Sequence, residues 1–224
     1  MRHRIVGELM TSAVVHVRPD TGFKEIARLL AEHDIASVPV LDREERPLGL
    51  VSEADLLLNE AAQEDPAGLL LTPQLSPGEH TRSRATTAEG LMTSPAVCAR
   101  PEWTVVEAAR LMQREHLKRL PVVDEAGRLV GIVSRSDLLR VFLRQDRAIH
   151  EEIMHELLDR TLGLAPGRVD VRVNEGRVTL TGTVEHRALV AVVGRLCRSV
   201  DGVVDVTSRL DYRTDDTAAL HPVR

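Results

Sequence analysis

Ser52-Glu53-Ala54-Asp55 and Ser134-Arg135-Ser136-Asp137 each set a hydroxyl three residues ahead of a carboxylate, directly after an apolar, strand-like run. Ser-x-x-Asp at a helix start is a capping box, with serine as N-cap and aspartate at N3, and for a single instance that structural role is the default. The same geometry can also bind. A helix start presents unpaired N–H groups and the positive end of the helix dipole, so a phosphate can settle beside the serine hydroxyl. A carboxylate one turn later can accept two hydrogen bonds from ribose hydroxyls. Capping in the empty state and binding in the filled state are compatible. Lys118-Arg119 stands ahead of the second tetrapeptide, where the first copy has Ala36-Ser37, and Ser136 is matched by Ala54. Residues 110–147 hold nine Arg/Lys against five Asp/Glu, a local 9 − 5 = +4 in a chain of net charge −5. Elsewhere in that stretch a solvated helix face accounts equally well for the arginines; Lys118 and Arg119 stand apart by position.

The tetrapeptides are equivalent because the chain is internally duplicated. Residues 9–57 reappear without a gap 82 positions later as 91–139, and 21 of the 49 pairs are identical. Unrelated segments agree at about one position in twenty, so this is a repeat, and two copies of one small unit build a pseudo-symmetric pair with a cleft between them. The matches include Leu-Met-Thr-Ser at 9–12 and 91–94, Arg18-Pro19 with Arg100-Pro101, Pro39-Val40 with Pro121-Val122, and Gly49 with Gly131.

Each copy parses as strand, helix, strand, strand, helix. Short apolar segments at 14–17 and 96–99 close on Arg-Pro, which opens a turn. A helix follows, marked by Ile26, Leu29, Leu30 and His33 in one copy and bracketed less regularly by Val106, Ala109, Arg110 and Leu117 in the other. Two strands joined by the turns at 42–46 and 124–128 lead to the Ser-x-x-Asp helices. Residues 59–87 between the copies hold Pro66, Gly68, Pro73, Pro77 and Gly78 and read as a surface connector in which Leu69-Leu70-Leu71 docks. From about Ile149 the pattern changes. Ile149, Ile153, Leu157 and Leu158 share a helical face, Val169, Val171 and Val173 alternate with polar residues, and Asn174-Glu175-Gly176 turns a hairpin into Val178, Leu180 and Val184. A helix with Leu189, Val192, Val193, Leu196 and Val200 and a strand with Val204, Val206 and Leu210 complete a two-layer domain.

Bulk properties exclude several classes. An apolar content of 43% supports a core, which aromatics at 2% make aliphatic. The negative charge argues against a nucleic-acid binder. No secretory h-region and no run of about 18 apolar residues is seen, and isolated Cys98 and Cys197 read as buried thiols in a reducing compartment, so a cytoplasmic protein is expected. His150 and His155, five apart, point to different faces of an α-helix, against a zinc site; P-loop, Gly-x-Ser-x-Gly and paired-cysteine motifs are absent. Trp103 and Met112 read as packing residues. No nucleophile adjoins a base in sequence, and a non-enzymatic protein is expected.

The pattern of Leu-Met-Thr-Ser, a helix, apolar-Pro-Val-apolar-Asp, and Gly-apolar-Val-Ser-x-x-Asp-Leu-Leu resembles the cystathionine-beta-synthase (CBS) domain. The resemblance places one domain at 6–60, a linker at 61–87 and a second domain at 88–145. It implies an α+β fold of two β-α-β-β-α repeats in a pseudo-two-fold module whose clefts take adenosine-containing ligands. It further implies that aspartate holds the ribose, Ser/Thr and basic residues the phosphate, and apolar backbone near the first strand the adenine. Carried onto this chain, the better-equipped site has Lys118, Arg119, Ser134, Ser136, Asp137 and Val97; Ser52, Asp55, Val15 and Ser37 make a weaker one. AMP, ADP, ATP, S-adenosylmethionine or NAD is the implied regulatory ligand, none a required cofactor, and a homodimer is the implied assembly, with room for an unidentified protein partner. Residues 148–212 resemble the BON domain, through Val178-Thr179-Leu180-Thr181-Gly182-Thr183-Val184 and an αββαβ order. Gly182 is expected where a side chain would obstruct packing. That family's association with membranes meets a local charge of 8 − 10 = −2 and no basic amphipathic stripe, so membrane contact stays open beside a docking role. Residues 213–224 read as a disordered tail. A ligand-free dimerisation scaffold and a protein tethered to membrane by its BON-like part are the alternatives to a sensor.

Overall fold

The computed structural model describes residues 4–62 and 76–215. They fall into two compact units, 5–137 and, with Arg4, 138 onward. In the first unit the copy nearer the N-terminus runs α1 (Val6–Leu9), α2 (Phe23–Glu32), β1 (Ser37–Leu41), β2 (Pro47–Ser52) and α3 (Glu53–Ala61). After α4 (Pro77–Ser83) the second copy repeats the order as α5 (Ala88–Leu91), α6 (Val105–Arg114), β3 (Arg119–Val123), β4 (Leu129–Ser134) and α7 (Arg135–Leu139). Both hairpins share one register: Ser37 faces Ser52 as Arg119 faces Ser134, and each slips at the same step, Val40/Leu41 and Val122/Val123. The expected first strands are reduced to single parallel bridges, Val17 to Val40 and Ala99 to Val122. Their arginine neighbours explain the repeated Arg-Pro. The Arg18 guanidinium donates to the Asp42 carbonyl and pairs with Glu45, and Arg100 donates to the Asp124 carbonyl at 2.9 Å, tying strand to turn in each copy.

The second-copy helix departs from its expected face. Thr104 caps it reciprocally with Glu107, and from that start Ala108 and Met112, equivalents of the buried Ile26 and Leu30, point inward. Val106 is 51% exposed. The connector departs too, since 77–83 is helical, opened by a Ser76–Glu79 capping box and anchored where the Asn59 amide donates to the Ser83 carbonyl at 2.6 Å. Leu69-Leu70-Leu71 lies outside the described residues.

The leaders are exchanged between the copies. The amides of Val6 and Gly7 donate to the carbonyls of Trp103 and Pro101, and those of Ala88 and Glu89 to the carbonyls of Thr21 and Pro19. Thr11 bridges Ile132 just as Thr93 bridges Leu50. Ala88 and Leu91 are buried in one core with Ile26, Leu30, Val38, Val40 and Val51 of the first copy. Glycine is needed at each crossing. A Cβ on Gly49 would lie 2.6 Å from the Thr93 carbonyl, and one on Gly131 would meet the Met10 thioether.

In the second unit, α8 (Asp146–Glu151) continues as π-helical turns (Glu152–Thr161), with the Leu162 amide reaching back five residues to Leu157. Then come β5 (Val169–Asn174), β6 (Arg177–His186), α9 (Arg187–Arg198) and β7 (Asp205–Thr214). The sheet order is β5-β6-β7; β5 pairs antiparallel with β6, and β7 returns parallel to β6 over the α9 crossover. Ile149, Ile153, Leu157, Leu180, Val193 and Cys197 are fully buried together. The hairpin turns through Glu175 and Gly176, both at positive φ, whose amides donate to the Asp146 carboxylate at 2.7 and 2.8 Å. Gly182 has φ +127°, and a Cβ there would collide with the Arg168 carbonyl, as expected of that position. The last strand reaches Thr214, two residues into the expected tail, and starts after Val204, which is exposed; 216–224 lies outside the described residues. Among the described residues no helix is long and apolar enough to cross a membrane.

Candidate functional site

The leader exchange builds a cleft of about 150 Å³ within the first unit. One wall is the first copy's leader and strand start, Thr11, Ala13, Val14, Val15, Ile35 and Ser37; the other is the second copy's Arg119, Ile132, Ser134 and Asp137. Thr11 reaches it through its bridge to Ile132. Arg119 and Ser134 face each other across β3 and β4, and Asp137 follows one turn into α7, so hairpin register and helix start bring the three together.

The capping box forms. The Ser134 amide and hydroxyl donate to Asp137 Oδ2 at 2.9 and 2.6 Å, and the Asp137 amide donates back to Ser134 Oγ at 3.2 Å. Two features remain that capping does not explain. Ser37 is only 7% exposed, and its Oγ has no hydrogen-bond partner among the described residues. The Arg119 guanidinium, on the cleft wall, likewise has no ion-pair partner among them. A buried hydroxyl without a partner costs about 1–3 kcal/mol, a cost that a polar ligand would remove.

Of the residues singled out from the sequence, Arg119, Ser134, Asp137, Val15 and Ser37 line this cleft, whereas Lys118, Ser136, Val97, Ser52 and Asp55 do not. Lys118 and Ser136 are exposed: β3 starts one residue after Lys118, and Ser136 sits on the outer face of α7. The exchange puts Val15 beside Asp137, and Val97 is, by the 82-residue offset, the counterpart of Val15 in the other copy. In the first copy, Ser52 donates to Asp55 Oδ2 by amide and hydroxyl at 2.9 and 2.6 Å. Asp55 Oδ1 lies 3.5 Å from a guanidinium nitrogen of Arg82, which also donates to Thr93 Oγ1 at 3.1 Å. Thr11, Ala13, Val14, Ile35 and Ile132 were not foreseen; only Thr11, in the repeated Leu-Met-Thr-Ser, carried a signal.

Of the two thiols, Cys197 is fully buried and Cys98 half-buried; burial pushes both up, Cys197 to about 11. His150 is half-buried and His155 exposed, and among the described residues no group of three metal-binding side chains forms.

The CBS-domain family model matches residues 6–61 and 88–144, and the BON-domain model matches 145–214. The crystal structure of CBSX2 of Arabidopsis thaliana in complex with AMP is similar with a TM-score of 0.52, at 30% identity over 62% of this chain and 96% of that one. An uncharacterized protein of Methanocaldococcus jannaschii is 29% identical over 154 residues, 62% of this chain and 91% of its own. The chloroplastic CBS domain-containing protein CBSX1 of Arabidopsis thaliana is 30% identical over 155 residues, 64% of this chain and 66% of its own.

Proposed function

Because this chain belongs to the CBS-domain family, as a tandem pair that continues into a BON domain, we propose that it is a non-enzymatic sensor of an adenine nucleotide or related adenosyl ligand. The carrying observation is the cleft that sets an Arg119 guanidinium lacking an ion-pair partner and the orphaned Ser37 hydroxyl beside the Ser134–Asp137 pair. Asp137 takes the ribose, Arg119 and Ser134 the phosphate, and the backbone at Val14 and Val15 the base. The AMP bound by CBSX2 supports this choice of ligand. At about 150 Å³ the cleft is smaller than the roughly 300–1,000 Å³ of pockets that bury a whole ligand, so the nucleotide lodges partly in solvent. Binding shifts the arrangement of the repeats only as far as the ligand favours one arrangement over another, and the BON domain or a protein partner reads that shift.

Thermal unfolding with AMP, ADP, ATP, S-adenosylmethionine and NAD tests this. A ligand at 100 times its dissociation constant adds about 2.7 kcal/mol, and no shift with any of the five would refute the sensor. Asp137→Ala separates it from a ligand-free scaffold: a sensor loses binding outright, whereas a scaffold loses only a cap, about 1 kcal/mol. The C-terminal domain as a membrane tether is the remaining reading, decided by whether the full chain floats with liposomes.

A further inference from the structure

The sheet of the second unit ends on β7, which pairs with β6 along one side. Among the described residues no strand pairs with its other side, and of the strand's residues only Val206 and Leu210 are buried. A long outer strand presents amides and carbonyls on which a further strand can form. Charged side chains are the usual protection of such an edge, and β7 carries Asp205, Arg209, Asp211 and Arg213. Whether they repel a newcomer depends on their order.

Side chains alternate along a strand, so the two faces of β7 separate cleanly. Val206 and Leu210 join the core that holds Val193 and Cys197 of α9. Thr207, Arg209, Asp211 and Arg213 lie on the opposite face. There Arg213 reaches Glu185 of β6 at 3.9 Å. Arg209 and Asp211 have no ion-pair partner among the described residues, and their neighbours on β6 are the uncharged Thr181 and Thr183. Two opposite charges, two residues apart on an edge, are thus both left unmatched.

We propose that β7 is a self-pairing edge whose partner is β7 of a second copy, antiparallel over residues 207–213 and centred on Leu210. In that register Arg209 faces Asp211 of the other copy, and Asp211 faces its Arg209, so the two-fold axis makes two cross-strand ion pairs. Centring on Arg209 or on Asp211 instead sets like charges directly opposite, which destabilises a strand pair. The charges that guard the edge against other strands therefore admit this one in a single register. The contact is isologous, and it joins the sheets of two C-terminal domains. Confined to one strand, it falls short of the roughly 1,200–2,000 Å² buried by stable interfaces, so it fills in concentrated solution.

Sedimentation equilibrium of the full chain tests the pairing. The weight-average mass of the wild type should rise about twofold or more between dilute and concentrated solution. Arg209→Asp and Asp211→Arg, each alone, should hold the dilute value, because each puts like charges across the seam. Mixed one to one, the two variants set opposite charges across it again and should recover the rise, as should Arg209→Asp/Asp211→Arg. Hydrogen exchange of the wild type gives the same test without substitution: amides of 207–213 should gain protection on concentration. No rise and no gain of protection in the wild type overturns the proposal. So does a rise that survives the single reversals, or one that neither the mixture nor the double variant restores.

Discussion

Arg119 and Ser37 occupy equivalent positions in the two repeats, yet both belong to one cleft, and neither side chain has a polar partner among the described residues. A cation left without a carboxylate beside a capped serine is suited to a phosphate, because charge-assisted hydrogen bonds to phosphate are among the stronger polar contacts. Arg119→Met should therefore weaken AMP binding about tenfold, near 1.4 kcal/mol, while adenosine, which lacks the phosphate, binds as before. Equal losses for both compounds in calorimetry would remove Arg119 from the phosphate role. In the other unit, Cys197 makes a pH prediction. Burial raises its thiol from 9.0 to about 11, so between those values the folded chain keeps a proton that the unfolded chain has lost. Stability should fall by about 2–3 kcal/mol as pH rises through that window, and Cys197→Ala should flatten this limb in urea titrations.

At the scale of elements, the Gly-Met crossings bind the repeats together. A methyl on Gly49 would press on the Thr93 backbone carbonyl, which cannot move without breaking the Leu50–Thr93 bridge. A methyl on Gly131 meets chiefly the Met10 thioether, a side chain with three rotatable bonds. Gly49→Ala should thus cost about 3 kcal/mol and Gly131→Ala about 1 kcal/mol in chemical denaturation, within the usual range for overpacking. The reverse order would mean that the crossing tolerates a shift of Thr93. Helix phase was readable where apolar spacing was regular, as at Ile26 and Leu30, and misread at Val106, where local periodicity was weak. The offset to Ala108 and Met112 pointed to the correct face, and the Thr104 cap enforces it.

At the scale of the molecule, Leu57 and Leu139 hold equivalent places on the helices after the Ser-x-x-Asp motifs and are 64% and 60% exposed. The family resemblance implies a homodimer, and an interface that took in these leucines would gain from removing them from water. Light scattering of the wild type should give twice the 24.7 kDa chain mass, and Leu57→Glu/Leu139→Glu should give the chain mass. A monomeric wild type would dismiss the pairing.

Duplication, the helix-hairpin-helix order within each copy, the Ser134 capping box, the hairpin at Glu175-Gly176 and the obstructed site at Gly182 were all legible in the chain, because each depends on neighbours within a few residues or on comparison of one copy with the other. The partner of each leader was not. Both cores present a glycine, backbone carbonyls and apolar side chains at matching positions to an identical Leu-Met-Thr-Ser, so exchanged and unexchanged leaders leave the same pattern of hydrophobicity in the sequence. Only the path of the chain in three dimensions decided that Val15 joins Asp137, and that Arg82, separated from Asp55 by 27 residues, reaches its carboxylate.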